Sequence, residues 1–287
     1  MLTAHFASLR AAFAALIALF VITGCSTTAD LGMPALPPLS DKYAAIVVDA
    51  NDGSVLYEMD SQVLRHPASL TKMMTLYIMF DAIKAGQLQA TTPIPVSAYA
   101  ASRPPTKIGF KPGETLSTEE AILSLVVKSA NDVATAVAEY FAGSEEQFAA
   151  MMNARARALG MSDTVFRNAS GLPDSAQVTT ARDMARLALA LRRDHPGLYR
   201  YFANKDFVYR GRLIEGHNDL IGTMAGVDGL KTGYIRASGF NLATSVRRSG
   251  RSVVAVVMGG DTAKSRNAHM RQLLDLYLPR ASVQRGS

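Results

Sequence analysis

The sequence predicts an α+β fold, in which an antiparallel sheet is flanked by helices and accompanied by a helical subdomain. Strand-like segments lie near both ends of the chain, whereas the middle of the chain carries helical patterns. Short apolar runs in the final third are separated by glycine and serine, which is typical of strands joined by turns. We therefore expect strands from the two ends of the chain to pair in one sheet.

A hairpin and one long helix are predicted early in the globular region. The segment "YAAIVVDANDGSVLYEMD" has two strand-like runs around the "NDG" turn at positions 51–53, which is the pattern of a β-hairpin. Further on, a proline and a short polar residue, Ser69, precede an apolar stripe at helical spacing. This helix should run to about Ala85, where Gly86 can end it.

Four helices are predicted in the middle of the chain, in "EEAILSLVVK", "DVATAVAEYFAG", "SEEQFAAMMNARARALG" and "TARDMARLALALRR". Three of them begin with residues that suit helix caps, namely Ser117 with Glu120, Ser144 with Gln147, and Thr179 or Thr180. The final third then reads as three strands, "VDGLKTG", "GFNLATSVRR" and "RSVVAVVMGG", with "RRSGR" as a hairpin turn. A terminal helix is predicted from Ser265 to Tyr277.

The N-terminal segment is predicted to direct export. An apolar run too short to span a bilayer comfortably follows Arg10, which indicates a secretory signal over residues 1–24. The stretch "ITGC" resembles the lipobox of bacterial lipoproteins, so we expect cleavage before Cys25 and a membrane anchor through a lipid on this cysteine, the only one in the chain. An uncleaved anchor or an ordinary signal is the alternative. Residues 25–40 should form a flexible tether, with the domain at 41–287 in the cell envelope or periplasm.

Composition excludes several classes of protein. The chain has 287 residues, 48% hydrophobic and 19% charged, which suits one large or two small globular domains and argues against disorder. The net charge is +6, but the basic residues are scattered without interleaved aromatic residues, so no nucleic acid partner is expected. The histidines show no metal-ligand spacing, and neither a metal nor a cofactor is expected; His66, near Ser69, is expected to be a surface residue.

Three short motifs carry the chemistry: Ser69 with Lys72, Ser129 with Asn131, and the run Lys231, Thr232 and Gly233. Composition alone would place all three in this order in roughly one chain in a few hundred. A serine hydroxyl becomes a good nucleophile when a neighbouring base takes its proton, and an amine one helical turn away can act as that base if its pKa is lowered. A second cation such as Lys231, together with partial burial, would lower that pKa.

The remaining motif residues suit the handling of a substrate. Ser129 could relay a proton to a leaving amine, while Asn131 holds Lys72 and the substrate amide. Lys231 and Thr232 would bind a carboxylate, and Gly233 would let the substrate backbone lie against the strand. The motifs therefore predict acyl transfer on an amide flanked by a free carboxylate.

Longer segments, some of which contain these motifs, extend the pattern in the order "ASLTKMMT", "KSANDVATAVAE", "F..MMNARARALGM..T.F.N.SGL", "TARDMARLA", "VDGLKTGY", "SGFNLATS" and "VVMGG". Over roughly residues 41–277 the chain resembles the serine D-alanyl-D-alanine carboxypeptidases, which are low-molecular-mass penicillin-binding proteins with a β-lactamase-like fold. The resemblance implies an oxyanion hole made by the backbone N–H groups of Ser69 and Tyr234, and a role for Arg266 in binding a terminal carboxylate. It also implies peptidoglycan stem peptides as substrates and covalent inhibition by β-lactam antibiotics. Many family members continue into a second domain with a C-terminal anchor, which the N-terminal lipid is expected to replace.

Three alternatives stay open at the level of sequence. A class A β-lactamase has similar motif spacing, but it needs a Glu-x-x-x-Asn loop that does not occur between the second and third motifs. An endopeptidase that cuts peptidoglycan cross-links would use the same residues as a carboxypeptidase. A non-catalytic wall-binding module is disfavoured because every catalytic residue type is present.

Overall fold

The computed structural model describes residues 40–284 and has the predicted α+β architecture. One antiparallel sheet contains five strands, namely β1 (Ala44–Asp49), β2 (Val55–Met59), β7 (Val227–Ile235), β8 (Gly239–Arg248) and β9 (Arg251–Gly260). Their order in the sheet is β2-β1-β9-β8-β7. The prediction that the two ends of the chain meet in one sheet is therefore confirmed.

Strand β1 shows how the sheet separates two cores. It pairs with β9 in a register that places Ile46 opposite Val256, and its residues are buried along its whole length. Ile46 and Val48 contribute to one hydrophobic core, whereas Val47 contributes to the other. Since successive side chains of a strand point to opposite faces, an unbroken apolar run is what a sheet covered on both faces requires.

Eight α-helices occur in the described residues, several of them continued by tighter or wider turns. They are α1 (Lys72–Lys84), α2 (Ala98–Ala101), α3 (Thr118–Leu123), α4 (Asn131–Ala142), α5 (Glu145–Ala158), α6 (Ala181–Asp194), α7 (Pro196–Tyr199) and α8 (Ala263–Tyr277). A 3-10 turn (Ala68–Thr71) precedes α1, a π-helical turn (Ser124–Lys128) continues α3, and 3-10 turns (Arg200–Ala203 and Leu278–Arg280) follow α7 and α8. Two small two-stranded sheets complete the fold, β3 (Pro93–Pro95) with β4 (Thr115–Ser117) and β5 (Asp206–Tyr209) with β6 (Arg212–Glu215).

The observed helix caps agree with the sequence signals, with two refinements. Ser117 and Glu120 form both arms of a capping box, and the Ser144 hydroxyl accepts a hydrogen bond from the N–H of Gln147. Of the two threonines before α6, Thr180 is the cap. The terminal helix begins before the predicted Ser265, because Thr262 caps it and Ser265 is the third residue of its first turn.

Helix α1 is more deeply buried than its sequence pattern indicated. A single apolar stripe predicts one buried face, yet every residue from Lys72 to Phe80 is buried. The helix packs within the larger core, which lies on one face of the sheet, while α8 covers the other face. A helix that is enclosed on all sides also removes its first residue, Lys72, from water.

Residues 1–39 and 285–287 lie outside the described part of the chain. The predicted signal over residues 1–24, Cys25 and nearly all of the predicted tether fall in that part. From residue 40 to residue 284, no helix combines the length and apolar character needed to cross a membrane. The same residues contain no cluster of side chains that could hold a metal ion.

Candidate active site

Ser69 lies in the 3-10 turn that leads into α1, on a backbone held in an unusual conformation. Ala68, the residue before it, has a φ of 47°, in a left-handed region that costs most L-residues energy. Gly171 packs against this turn so closely that a Cβ on it would lie 1.8 Å from the carbonyl oxygen of Ala68. The loop around Gly171 therefore fixes the backbone that presents Ser69.

Lys72 is fully buried and contacts three oxygen atoms. Its Nζ lies 3.3 Å from Ser69 Oγ, 2.8 Å from Asn131 Oδ1 and 2.6 Å from the carbonyl oxygen of Ser170. The Asn131 amide also donates from Nδ2 to the carbonyl of Pro104 at 3.0 Å, which fixes its oxygen toward Lys72. In its neutral form Lys72 can donate its two N–H groups to Asn131 Oδ1 and the Ser170 carbonyl, which leaves its lone pair for the proton of Ser69.

The electrostatic surroundings also favour a neutral Lys72. Burial lowers the pKa of Lys72 well below its usual value, and the nearby Lys231 ammonium lowers it further, against weaker opposing effects of Glu145 and Asp132. Burial likewise lowers the pKa of Lys231 to about 7, with a contribution from the Arg266 cation. The Lys231 cation thus lowers the pKa of Lys72, and the Arg266 cation lowers the pKa of Lys231.

The second motif lies where α3 ends and α4 begins. The π-helical turn ends at Ser129, whose φ of 59° reverses the chain so that Asn131 can start the next helix. The Ser129 hydroxyl oxygen is buried and has no hydrogen-bond partner within residues 40–284. A buried hydroxyl without a partner is costly in a resting fold, so this group is available to a substrate.

The third motif lies on β7, the edge strand that faces Ser69. Lys231 is buried, and its Nζ donates to the carbonyl of Thr232 at 3.0 Å. A Cβ on Gly233 would lie 3.0 Å from the backbone nitrogen of Ser69. Gly233 was expected to make room for a substrate backbone, and the structure shows that it also lets β7 approach the turn that carries Ser69.

Arg266 is buried at the start of α8, with 3% of its surface exposed, so it is not a solvated surface arginine. Its Nη1 donates to the carbonyl of Asn241 at 2.7 Å and its Nε to Asn267 Oδ1 at 2.9 Å. Burial lowers its pKa to about 10, which leaves the guanidinium charged at neutral pH. Arg266 is therefore a fixed cation at the edge of the site.

A cavity of about 810 Å³ brings most of the sequence-predicted site residues together. Those that line it are Ser69, Ser129, Asn131, Thr232, Gly233, Tyr234 and Arg266, whereas the two lysines are buried. Sequence reasoning missed other lining residues, among them Thr106, Leu172, His217, Asp219 and Phe240. His66 does not line the cavity; its Nδ1 is hydrogen-bonded with the carbonyl of Gln177 at 2.8 Å.

The loop that supplies the third contact of Lys72 lies in a segment that the sequence linked to the family, but the sequence assigned it no role. Asn168 Oδ1 accepts hydrogen bonds from the backbone N–H groups of Ser170, at 3.2 Å, and Gly171, at 2.7 Å. Gln177, which is 2% exposed, accepts from the N–H of Asn168 through Oε1 and donates to the carbonyl of Leu172 through Nε2. These two amides build the turn that points the Ser170 carbonyl at Lys72.

The fold and the arrangement of Ser69 between a buried lysine and a sheet edge are those of the penicillin-binding class of proteins. The crystal structure of the carboxypeptidase DacD from Francisella tularensis matches with a TM-score of 0.82 and 31% identity, over 86% of this chain and 72% of that one. Penicillin-binding protein 5 from Haemophilus influenzae matches with a TM-score of 0.79 and 30% identity, over 84% of this chain and 71% of that one.

The chain belongs to the D-alanyl-D-alanine carboxypeptidase family, whose model matches residues 34–262. Curated relatives include the carboxypeptidase DacA of Escherichia coli, which is 36% identical over 84% of this chain. DacF of Bacillus subtilis is 33% identical over 81% of this chain. The chain spans about 62% of the length of DacA and about 61% of that of DacF.

Proposed function

We propose that this protein is a serine-type D-alanyl-D-alanine carboxypeptidase, which removes the terminal D-alanine from peptidoglycan pentapeptides. The observation that carries the proposal is the position of Lys72. Lys72 is a buried amine with a lowered pKa, and its Nζ lies 3.3 Å from Ser69 Oγ. Asn131 and Ser170 hold it there, as a general base for a serine nucleophile requires.

The reaction follows from these positions. Ser69 Oγ attacks the carbonyl carbon of the penultimate D-alanine while Lys72 takes the hydroxyl proton. The negative charge on the carbonyl oxygen is stabilised by the backbone N–H groups of Ser69 and Tyr234, on the turn and the strand that Gly233 brings together. The C–N bond then breaks, and the leaving amine takes a proton from Ser129, which regains one from Lys72. Water hydrolyses the acyl ester and restores Ser69.

Substrate recognition uses the cations on the other side of the cavity. Arg266, Lys231 and the Thr232 hydroxyl lie along one wall or just behind it, and this arrangement suits the terminal carboxylate of the peptide. The amide of Asn131 contacts Lys72 and borders the cavity, where it can also bind the substrate amide.

β-Lactam antibiotics are proposed as covalent inhibitors, because the same nucleophile and the same carboxylate-binding residues would act on them. Penicillin-binding protein D2 of Listeria monocytogenes, 28–29% identical to this chain, has crystal structures in cefotaxime-bound and ampicillin-bound forms. Among the described residues that line the cavity, Asp219 is the one carboxylate, and there is no glutamate. A penicilloyl ester on Ser69 therefore lacks a glutamate base for water, and its hydrolysis is expected to be slow.

Peptide products test the proposal. Purified protein is incubated separately with pentapeptide and with cross-linked dimer muropeptides, and the products are followed by mass spectrometry. Loss of one alanine from the pentapeptide is expected, and Ser69→Ala should abolish it while the matched control Ser102→Ala, an exposed serine, keeps it. Cleavage of dimers alone would replace the proposal with an endopeptidase, the activity named for a Pseudomonas aeruginosa relative that is 32% identical over 182 residues. Rapid penicillin turnover with both peptides untouched would indicate a β-lactamase.

The same proposal places the protein in the cell envelope, anchored through a lipid on Cys25. The support is the "ITGC" stretch after the apolar run, together with the peptidoglycan substrate. Intact mass of the membrane-extracted protein should show acyl chains on a chain that begins at Cys25. Cys25→Ser should release the protein or leave an uncleaved precursor, whereas an unmodified Cys25 in a cleaved product would contradict the anchor.

A further inference from the structure

A second cavity, of about 650 Å³, opens at the end of the sheet where β7 begins and β8 ends. It shares no lining residue with the catalytic cavity, which lies at the other end of β7. Four arginines line this second cavity, namely Arg192, Arg193, Arg200 and Arg247. Asp228 is the one carboxylate among its described lining residues. The proposed peptidase reaction gives this concentration of positive charge no role.

The floor of this arginine cavity is a fixed network. Arg192 Nη1 lies 3.1 Å from Asp228 Oδ2, and the other oxygen of Asp228 accepts a hydrogen bond from the Ser245 hydroxyl. The buried Tyr199 hydroxyl lies 2.5 Å from Ser245 Oγ, and the Arg192 guanidinium lies 5.5 Å from the centroid of the Tyr199 ring. Since these contacts hold Arg192 before any ligand arrives, binding would cost little side-chain entropy there.

The rim of the cavity carries charge that the protein does not neutralise. Arg200 and Arg247 form no ion pair within residues 40–284, and the Arg247 Nη2 donates only to the neutral Gln284 side chain, at 3.1 Å. Arg193 forms a partly exposed ion pair with Asp194. The lining residues carry a formal charge of +3, of which the Asp194 carboxylate offsets one charge, and the remaining positive charge around one concave space favours the entry of an anion.

We propose that the arginine cavity binds a phosphoryl group. A guanidinium fork donates two parallel N–H groups to the oxygens of a phosphate, and several forks around one cavity suit a dianion with three terminal oxygens. The volume accommodates the phosphoryl group together with a small group esterified to it. Either a free phosphorylated molecule or the headgroup of an anionic phospholipid would supply this chemistry.

Binding of inorganic pyrophosphate to the mature protein, measured by calorimetry, tests the site itself. The double variant R200Q/R247Q removes the two rim charges that lack ion pairs, and it should weaken binding by at least about tenfold, the effect expected from the loss of charge-assisted hydrogen bonds. The matched control R212Q/R248Q removes the same charge from two exposed arginines outside the cavity. It should bind pyrophosphate as the unchanged protein does.

Vesicle flotation distinguishes the two sources of the phosphoryl group. Phosphatidylcholine vesicles give the baseline due to any lipid anchor, and vesicles that also contain phosphatidic acid report headgroup binding. A preference for phosphatidic acid that R200Q/R247Q removes and R212Q/R248Q keeps would identify the headgroup as the source, whereas pyrophosphate binding without that preference would identify a free molecule. Equal losses in both double variants, or no binding of either probe, would overturn the proposal, and peptidase activity should be unchanged throughout.

Discussion

Gly171 and Ala68 approach each other so closely that no side chain fits between them. A Cβ on Gly171 would lie 1.8 Å from the carbonyl oxygen of Ala68, and both residues have positive φ, 84° and 47°. The residue on either side of this contact belongs to the site, since Ser170 contacts Lys72 and Ser69 follows Ala68. The contact therefore joins, through the backbone, the turn that carries the proposed nucleophile Ser69 and the loop that contacts the proposed base Lys72.

Gly171→Ala should disrupt the backbone contact between residue 171 and Ala68. The added methyl group must displace the turn that carries Ser69, and the positive φ of residue 171 adds strain. We expect a lower melting temperature and a loss of acylation by fluorescent penicillin of at least about tenfold. Gly197→Ala is the matched control, because a Cβ at that position meets nothing within 4 Å. An unaffected acylation rate in Gly171→Ala would contradict the coupling.

Asn168→Ala tests whether the Ser170 carbonyl positions Lys72. Removal of the amide leaves the N–H groups of Ser170 and Gly171 without their acceptor, so the turn should loosen. We expect kcat for acylation to fall by more than about tenfold with a smaller change in KM, because the base is misplaced while the carboxylate-binding residues are untouched. Asn204→Ala, which removes an amide bonded to the carbonyl of Tyr201, is the control. A change confined to thermal stability would leave Asn168 with a structural role alone.

Substitution by arginine separates the roles of the two lysines. Lys72→Arg should abolish acylation because a guanidinium stays protonated, and Lys72→Met should do the same by removing the base without adding charge. Lys231→Arg keeps a cation beside the carboxylate site and should leave slow acylation with a raised KM. The second-order rate of penicillin acylation is the measurement. Equal and complete loss at both positions would refute the division.

The pH dependence of acylation should be bell-shaped. Lys72 must be neutral to act as a base, so kcat/KM should rise as the pH increases through its lowered pKa. Lys231 must be charged to attract a carboxylate, so kcat/KM should fall again above its pKa of about 7. A bound carboxylate stabilises the charged form of Lys231, and the fall should therefore be weaker in kcat. In Lys231→Arg the descending limb should move to higher pH, and a limb that stays in place would assign it to another group.

The fold could be predicted from the sequence because the sequence signals for strands, turns and helix caps are local. Strand-like runs, turns and caps such as Ser117 with Glu120 each lie within a few residues, and the structure reproduces them. The burial of α1 on all sides could not be predicted from the sequence, because its apolar stripe describes one face and the surrounding core comes from distant segments. The left-handed backbone at Ala68 and Ser129 has no marker either, because neither residue type favours it.

The sequence predicted the parts of the site that are made of side chains, but it did not predict the contacts made by the backbone. Ser69, Lys72 and Asn131 stand in recognisable motifs, and the structure places them in contact. The Ser170 carbonyl contacts Lys72 across 98 positions of sequence, and a carbonyl group is common to all residues. Its supports, Asn168 and Gln177, are ordinary amides; Asn168 lies in a segment that resembles the family, but its role in the turn did not follow from the sequence.

The position of β1 between β2 and β9 has a consequence for how the molecule assembles. Residues 44–49 pair with residues 253–258, so the first strand of the described chain completes its hydrogen bonds only with the last strand. Loop closure over about 200 residues is entropically costly, and such distant pairing is associated with slow folding. During synthesis, the hairpin of β1 and β2 should therefore lack its β9 partner, and it should stay sensitive to protease until the ribosome has released β9. A chain cut short after β8 should never assemble the five-stranded sheet that places Lys231, on β7, beside the turn that carries Ser69.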